Sequence, residues 1–479
     1  MVVETAKHGR MPTIIFVIFA LIMIVFSIIT MIDLFLIAAS EYGSEIDLIA
    51  IFKGLLNPVA LLILAGVLAV IVIITFAVAL FISWLMSKIA TEVTVIAMFA
   101  IPVLLFTAAG MIAALGLNSE DMTSVLIAAG FVALIGLIAL VLILWKLRTI
   151  MRAGKFIEFA AELMIDNKSL YFFPIVMAIA LFVTFIFGAF SALWIIARGD
   201  IILSSIEPNS SQYTTIQALM GISLVIVEFF YVLSFFVIYY IITGMVMSYA
   251  ARWYRGEDPG PKTAIHDIKQ VMPVVITYAA FTTTVHMVMQ NIRNAQRNAK
   301  FPINMILGGI VWFAGAFYAF FTYFTLPAII IQKKGFRDSA VESGKLVWKS
   351  AIDVLMSDTG FGLSMFVFGM VNRIIWFMIG FSIGAGLSEA AGGVLVDNLI
   401  VGFVIGIVFF IFLAGFSMSL INMPMKAAFV TFLYSFAIDA EEGFRKPSRL
   451  PVELRNEFSA ISERAMANDK RKMRDPFYK

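Results

Sequence analysis

The 479-residue chain has no cysteine at all. Disulfides, thiolate metal sites and cysteine nucleophiles are therefore excluded. Charge is also scarce: Asp, Glu, Lys and Arg make up 14% of the residues, and the net charge is only +3. So small a basic excess argues against a nucleic-acid partner. The three histidines, His8, His266 and His286, are scattered with no i, i+4 pair, and no carboxylate–histidine box suggests a metal site. A phosphate-cradling loop is missing too. Ser343-Gly344-Lys345-Leu346 has no Ser or Thr after its lysine, so the chain carries no ATP motor. No cofactor and no metal are expected.

What is present in excess is apolar surface. Hydrophobic residues make up 62% of the chain and mean hydropathy is +1.00, against roughly half apolar in soluble proteins. Apolar runs of about 20 residues recur, enough to cross about 30 Å of hydrocarbon. Lipid cannot hydrogen-bond a bare backbone, so such runs must be helices or a closed barrel. They lack the alternation of barrel strands, and helices follow. The expected fold is all-α: a polytopic transmembrane helix bundle of about ten spans plus cytoplasmic-side interfacial amphipathic helices.

The expected spans are Pro12–Ala38, Asn57–Met86, Val93–Leu117, Met122–Trp145, Leu170–Ala197, Ile216–Ala251, Val271–Met289, Pro302–Ile331, Gly360–Gly384 and Asn398–Met423. Lys88 and Glu92 fall in the turn between the second and third. Amphipathic helices are expected at Arg152–Ser169, Pro259–Gln270 and Arg337–Met356, with charges opposite an apolar face. Pro424 is expected to break the tenth span, leaving Lys426–Ile438 along the interface. Three parts result: a four-helix module at 1–150, a six-span module with interfacial helices at 151–438, and a charged cytoplasmic tail at 439–479.

Most of the 34 Lys and Arg fall on one side of this arrangement, which puts both termini in the cytoplasm of a cell-membrane protein. One loop runs against the rule, with Arg293, Arg297 and Lys300 on the outer side. Either it faces a pore mouth or anionic headgroups, or the seventh segment, with Thr282, Thr283, Thr284 and His286, is re-entrant.

Between Phe156 and Phe436 the chain resembles an uncharacterised prokaryotic integral-membrane family, a domain of unknown function. The similarity rests on Phe156-Ile157-Glu158-Phe159-Ala160-Ala161-Glu162-Leu163 before Phe172-Phe173-Pro174, on Arg255-Gly256-Glu257-Asp258-Pro259, and on Phe324-Thr325-Leu326-Pro327. A fainter similarity links Ser248-Tyr249-Ala250-Ala251-Arg252-Trp253-Tyr254 to choline-transporter-like proteins, although the long cysteine-rich outer loop of that family is missing. This second resemblance implies transport.

Ionisable groups in hydrocarbon cost about 2.5–3.5 kcal/mol each on the insertion scale, so each needs a reason. Asp33 and Lys426 read as interfacial. Glu228 lies about 18 Å along its helix from Ile216, and Arg373 about 20 Å from Gly360, at about 1.5 Å per residue. The helices run in opposite directions, so both side chains fall near mid-membrane, with Asn372 and Tyr231 available for the remaining hydrogen bonds. They form either a static pair or the lining of a solute pathway. Gly380-Phe381-Ser382-Ile383-Gly384 also fits a nucleophile-elbow pattern, with His286 at similar depth as base. That would make an intramembrane serine hydrolase, but the elbow requires a strand-to-helix turn.

The leading expectation is a non-enzymatic transporter-like protein for a small or amphiphilic solute. The rival is a non-catalytic scaffold subunit of a membrane assembly. Expected partners are the lipid bilayer and further membrane subunits, copies of the chain or others.

Overall fold

The computed structural model describes residues 11–42, 58–116, 122–208, 210–349, 351–442 and 448–449. Helices dominate them, and no strand occurs among the described residues. In order they are α1 (Met11–Tyr42), α2 (Pro58–Gly116), α3 (Met122–Trp145), α4 (Leu147–Asp166), α5 (Phe172–Ser204), α6 (Ser211–Tyr254), α7 (Pro261–Asn298), α8 (Ile303–Thr322), α9 (Thr325–Gln332), α10 (Phe336–Lys349), α11 (Ala351–Ala390), α12 (Leu395–Val408) and α13 (Ala414–Glu442). A 3₁₀ turn, Lys168–Tyr171, precedes α5, and a π-helical turn, Phe409–Leu413, joins α12 to α13. Nine helical segments among the described residues are long and apolar enough to cross a membrane. The fold is all-α and polytopic.

Several expected boundaries are absent. The second and third spans are one helix, α2, with Lys88 and Glu92 inside it rather than in a turn. At about 1.5 Å per residue its 59 residues run to roughly 88 Å, well beyond the roughly 30 Å of one crossing. The expected turn has still left a trace. The Thr91 backbone N–H donates to Glu158 Oε1 at 3.0 Å, and the Ser87 hydroxyl to the Trp84 carbonyl at 2.8 Å. Side chains thus bond this backbone where the break was expected. Pro424 does not end a helix either, because α13 continues through it to Glu442. Likewise the polar Pro259–Gln270 stretch and the seventh span form the single helix α7, with Pro273 inside. In contrast, the expected eighth span does break, at Tyr323–Phe324 between α8 and α9.

The turn after α6 forms where the sequence places it. Gly256 has φ +85°, a left-handed conformation that glycine adopts without strain. Its N–H meets the Trp253 carbonyl at 3.0 Å while the Glu257 N–H meets that of Arg252 at 3.1 Å, a Schellman closure of the helix end. Pro261 then opens α7, where a proline has no N–H to leave unpaired.

By internal packing the chain falls into two compact units, each interleaved along the sequence. The first comprises residues 1–72, 172–249 and 259–345; the second comprises 73–171, 250–258 and 346–479. The expected front module, 1–150, is therefore divided between them. In the first unit, Asp33 on α1 takes a bidentate contact from Arg198 on α5 (2.7 and 2.5 Å) and the Trp194 indole N–H (2.6 Å). In the second unit α11 and α12 pack backbone to backbone. A Cβ at Gly384 would lie 2.8 Å from the Val401 carbonyl oxygen, and one at Gly402 2.9 Å from that of Phe381. Small residues permit so close an approach.

Candidate functional site

The first unit contains a cavity of about 470 Å3, within the roughly 300–1,000 Å3 range of small-molecule sites. Three helices contribute to it. On α7, Thr282, His286, Met289, Arg293 and Arg297 line it, with Gln290 beside them, and spacings of three or four residues put those five on one face. Phe236 and Tyr240 come from α6, one turn apart, and Gly315 and Tyr318 from α8.

Thr282 organises one end. Its hydroxyl oxygen accepts from the Tyr240 hydroxyl at 3.2 Å and from the Tyr318 hydroxyl at 3.0 Å. One side chain thus ties α6 and α8 to α7. Tyr240 stacks on Phe236 with centroids 5.8 Å apart, and the His286 ring meets Phe236 edge-on at 5.7 Å. The cavity therefore grades along α7. An aromatic, hydroxyl-bearing end leads through His286 to amides and then to two exposed guanidiniums. Such a surface can accept a partly apolar, polar-tipped molecule, because aromatic faces attract cations and arginines attract anions. Among the described residues no group of three or more His, Asp or Glu is arranged to hold a metal ion.

The residues singled out from the sequence are distributed as follows. Glu228 belongs to the first unit, where its side chain is exposed, and no ion pair joins it to the described residues of that unit. Tyr231 lies one turn away and lines a second, mostly apolar cavity of about 240 Å3, with Ser27, Gly188 and Phe230 among its neighbours. Arg373 and Asn372 belong to the second unit. Arg373 is exposed, with its guanidinium 5.7 Å from the Phe410 ring and 3.9 Å from the Met370 sulfur. Asn372 is fully buried. Its amide donates to the Ala414 carbonyl, and its oxygen accepts from Ser417, both at 2.9 Å. Its hydrogen bonds go to α13, beside the π-helical turn.

Ser382 and His286 belong to the second and first units respectively. Ser382 is exposed in the middle of α11, and its hydroxyl donates back to the Met378 carbonyl at 2.9 Å. The Gly-x-Ser-x-Gly pattern is thus helical, without the strand-to-helix elbow. Gly380 and Gly384 are contact points for Phe409 and Val401. Of all the candidates, only His286 lines the larger cavity. Phe236, Tyr240 and Tyr318 were not singled out from the sequence, although Phe236 and Tyr240 at i, i+4 were a readable signal. The threonine run and the basic stretch 293–300, expected as a loop but helical through Asn298, had already marked α7.

Residues 130–441 match a family described as plasma-membrane choline transporter. The chain belongs to that family. The match spans well over half of the chain, opens inside α3 and takes in every residue that lines the larger cavity. The choline transporter family is thus the better established of the two resemblances read in the sequence. No curated protein sequence matches the chain. Family and fold together make this a multi-pass, transporter-like membrane protein.

Proposed function

We propose that the protein carries a small quaternary-ammonium solute, choline or a close analogue, across the membrane, and that the larger cavity of the first unit is its binding site. The observation that carries this reading is the aromatic end of that cavity. Phe236, Tyr240 and Tyr318 gather around Thr282 and His286. A methylated ammonium cannot donate hydrogen bonds, so aromatic faces are the protein's best means of holding it. Each contributes about 0.5–2 kcal/mol, more when water is excluded. The family's description supports the same solute class. The distribution of Lys and Arg supports cytoplasmic termini, with Arg293 and Arg297 on the outer side.

The test is uptake of labelled choline into proteoliposomes. Tyr240→Leu combined with Tyr318→Leu should raise the KM about tenfold or more while leaving a folded, monodisperse protein. Saturable uptake with an unchanged KM in that variant would remove the cavity from the pathway. The scaffold reading predicts no saturable uptake in any variant.

A further inference from the structure

We infer that the cavity is built for a zwitterion, a quaternary ammonium joined to a phosphate ester as in a phosphocholine head, rather than for bare choline. This rests on the proposed solute class and narrows it. The aromatic end alone would suit any methylated ammonium. The remaining lining does not favour a lone cation: among the described residues no Asp or Glu faces the cavity, whereas Arg293 and Arg297 both do. A ligand bearing only positive charge would meet two like charges and no counter-charge. A ligand with an anionic tail meets two of the side chains best shaped for phosphate oxygens.

Spacing supports the assignment. His286, beside the aromatic end, precedes Arg293 by seven residues on the same helix face, about 10 Å at about 1.5 Å per residue. The flexible arginine stem shortens that gap. Among the described residues neither guanidinium has an ion-pair partner. The positive charge at this end of α7, unexplained by the orientation rule, thereby gains a reason. The same head occurs on a soluble ester and on a lysophospholipid, and the lining recognises what the two share.

The experiment is displacement of labelled choline from the full-length protein in nanodiscs made of phosphatidylglycerol, which carry no choline head of their own. Phosphocholine is expected to displace the label at a concentration roughly tenfold or more below that of unlabelled choline, the usual yield of a charge-assisted contact. Added salt should narrow the gap, as exposed charges are screened. Arg293→Gln with Arg297→Gln should erase the preference and, by removing two like charges, leave choline binding no weaker; an unchanged melting temperature reports that the variant is folded. Arg293→Lys with Arg297→Lys should retain part of it.

Replacing phosphocholine by lysophosphatidylcholine separates the sources. A stronger effect from the lipid assigns a membrane ligand and a weaker one a soluble ligand; either supports the zwitterion. Equal displacement by choline and phosphocholine, untouched by the glutamine pair, overturns the inference and leaves the proposed solute class standing. Failure of unlabelled choline and of both phosphocholine esters to displace the label, or no label bound at all, overturns both.

Discussion

In the second unit the Ser417 hydroxyl sits between two buried partners, donating to Asn372 and accepting from the Trp376 indole at 2.9 Å. In the first, the Thr282 hydroxyl also takes two partners, Tyr240 and Tyr318, but at the edge of an open cavity. The pattern extends beyond these residues. Thr94 meets Ser364 at 2.6 Å, Tyr171 meets Ser83 at 2.7 Å, and Asp439 takes Tyr254 and the two terminal guanidinium nitrogens of Arg255, all within the second unit. There, polar groups close on one another and hold helices together. In the first unit a comparable set borders an open cavity that an imidazole and two arginines also line. Polar content alone does not mark a site; polar groups that stop short of satisfying one another do.

That comparison can be broken by experiment. Substitutions in the second unit should lower stability and leave solute affinity alone; loss of an aromatic ring at the cavity should shift solute affinity. The largest expected loss is for Asp439→Ala. The carboxylate is buried and accepts three hydrogen bonds, so its removal strands a tyrosine hydroxyl and a partly buried guanidinium, at a cost of about 3 kcal/mol. Thermal unfolding in detergent should show it. Gly384→Leu comes next at about 1–3 kcal/mol, because its Cβ would press on the Val401 carbonyl. Ser417→Ala should cost about 1 kcal/mol, near the upper range for interhelical hydrogen bonds in membranes. A shift in choline KM without loss of stability in any of these would erase the contrast between the units.

The helices were legible because hydrocarbon thickness and backbone hydrogen bonding leave no alternative to them. Their joints were less so. Lys88, Glu92 and Pro424 look like breaks, but long helices absorb them: α2 runs through both charges, and neighbouring groups can bond the backbone a proline frees. The site was legible only in part. A lone charge in an apolar run stands out, and Glu228 and Arg373 therefore drew attention. The cavity instead depends on Phe236, Tyr240 and Tyr318, aromatic residues among 14% aromatic content, which only the convergence of three helices sets apart. Asn372 shows the opposite error, since a buried amide that serves packing reads in sequence like one that serves a ligand.

Within the first unit, Tyr318→Phe sharpens the contrast. Removing one hydroxyl from Thr282 should cost about 0.6 kcal/mol of stability. The ring stays, so choline affinity should move by no more than about threefold, the equivalent of that same free energy. A large fall in affinity would mean that the hydroxyl, not the aromatic face, recognises the solute.

The smallest effect is expected at Ser382. Its hydroxyl is exposed on α11 and among the described residues bonds only to the backbone four residues earlier, an arrangement that adds little to a helix and can bend it slightly. Ser382→Ala should change stability by no more than about 0.5 kcal/mol and leave choline uptake unaltered. The comparison makes this a sharp test. If the second unit is a packed support, its exposed hydroxyls have no chemistry to perform. If Ser382 were instead a nucleophile, alanine would abolish function while the protein remained fully folded. Uptake lost at unchanged melting temperature would therefore transfer the active role to the second unit. Uptake retained leaves the cavity beside Thr282 and His286 as the place where solute recognition is to be sought.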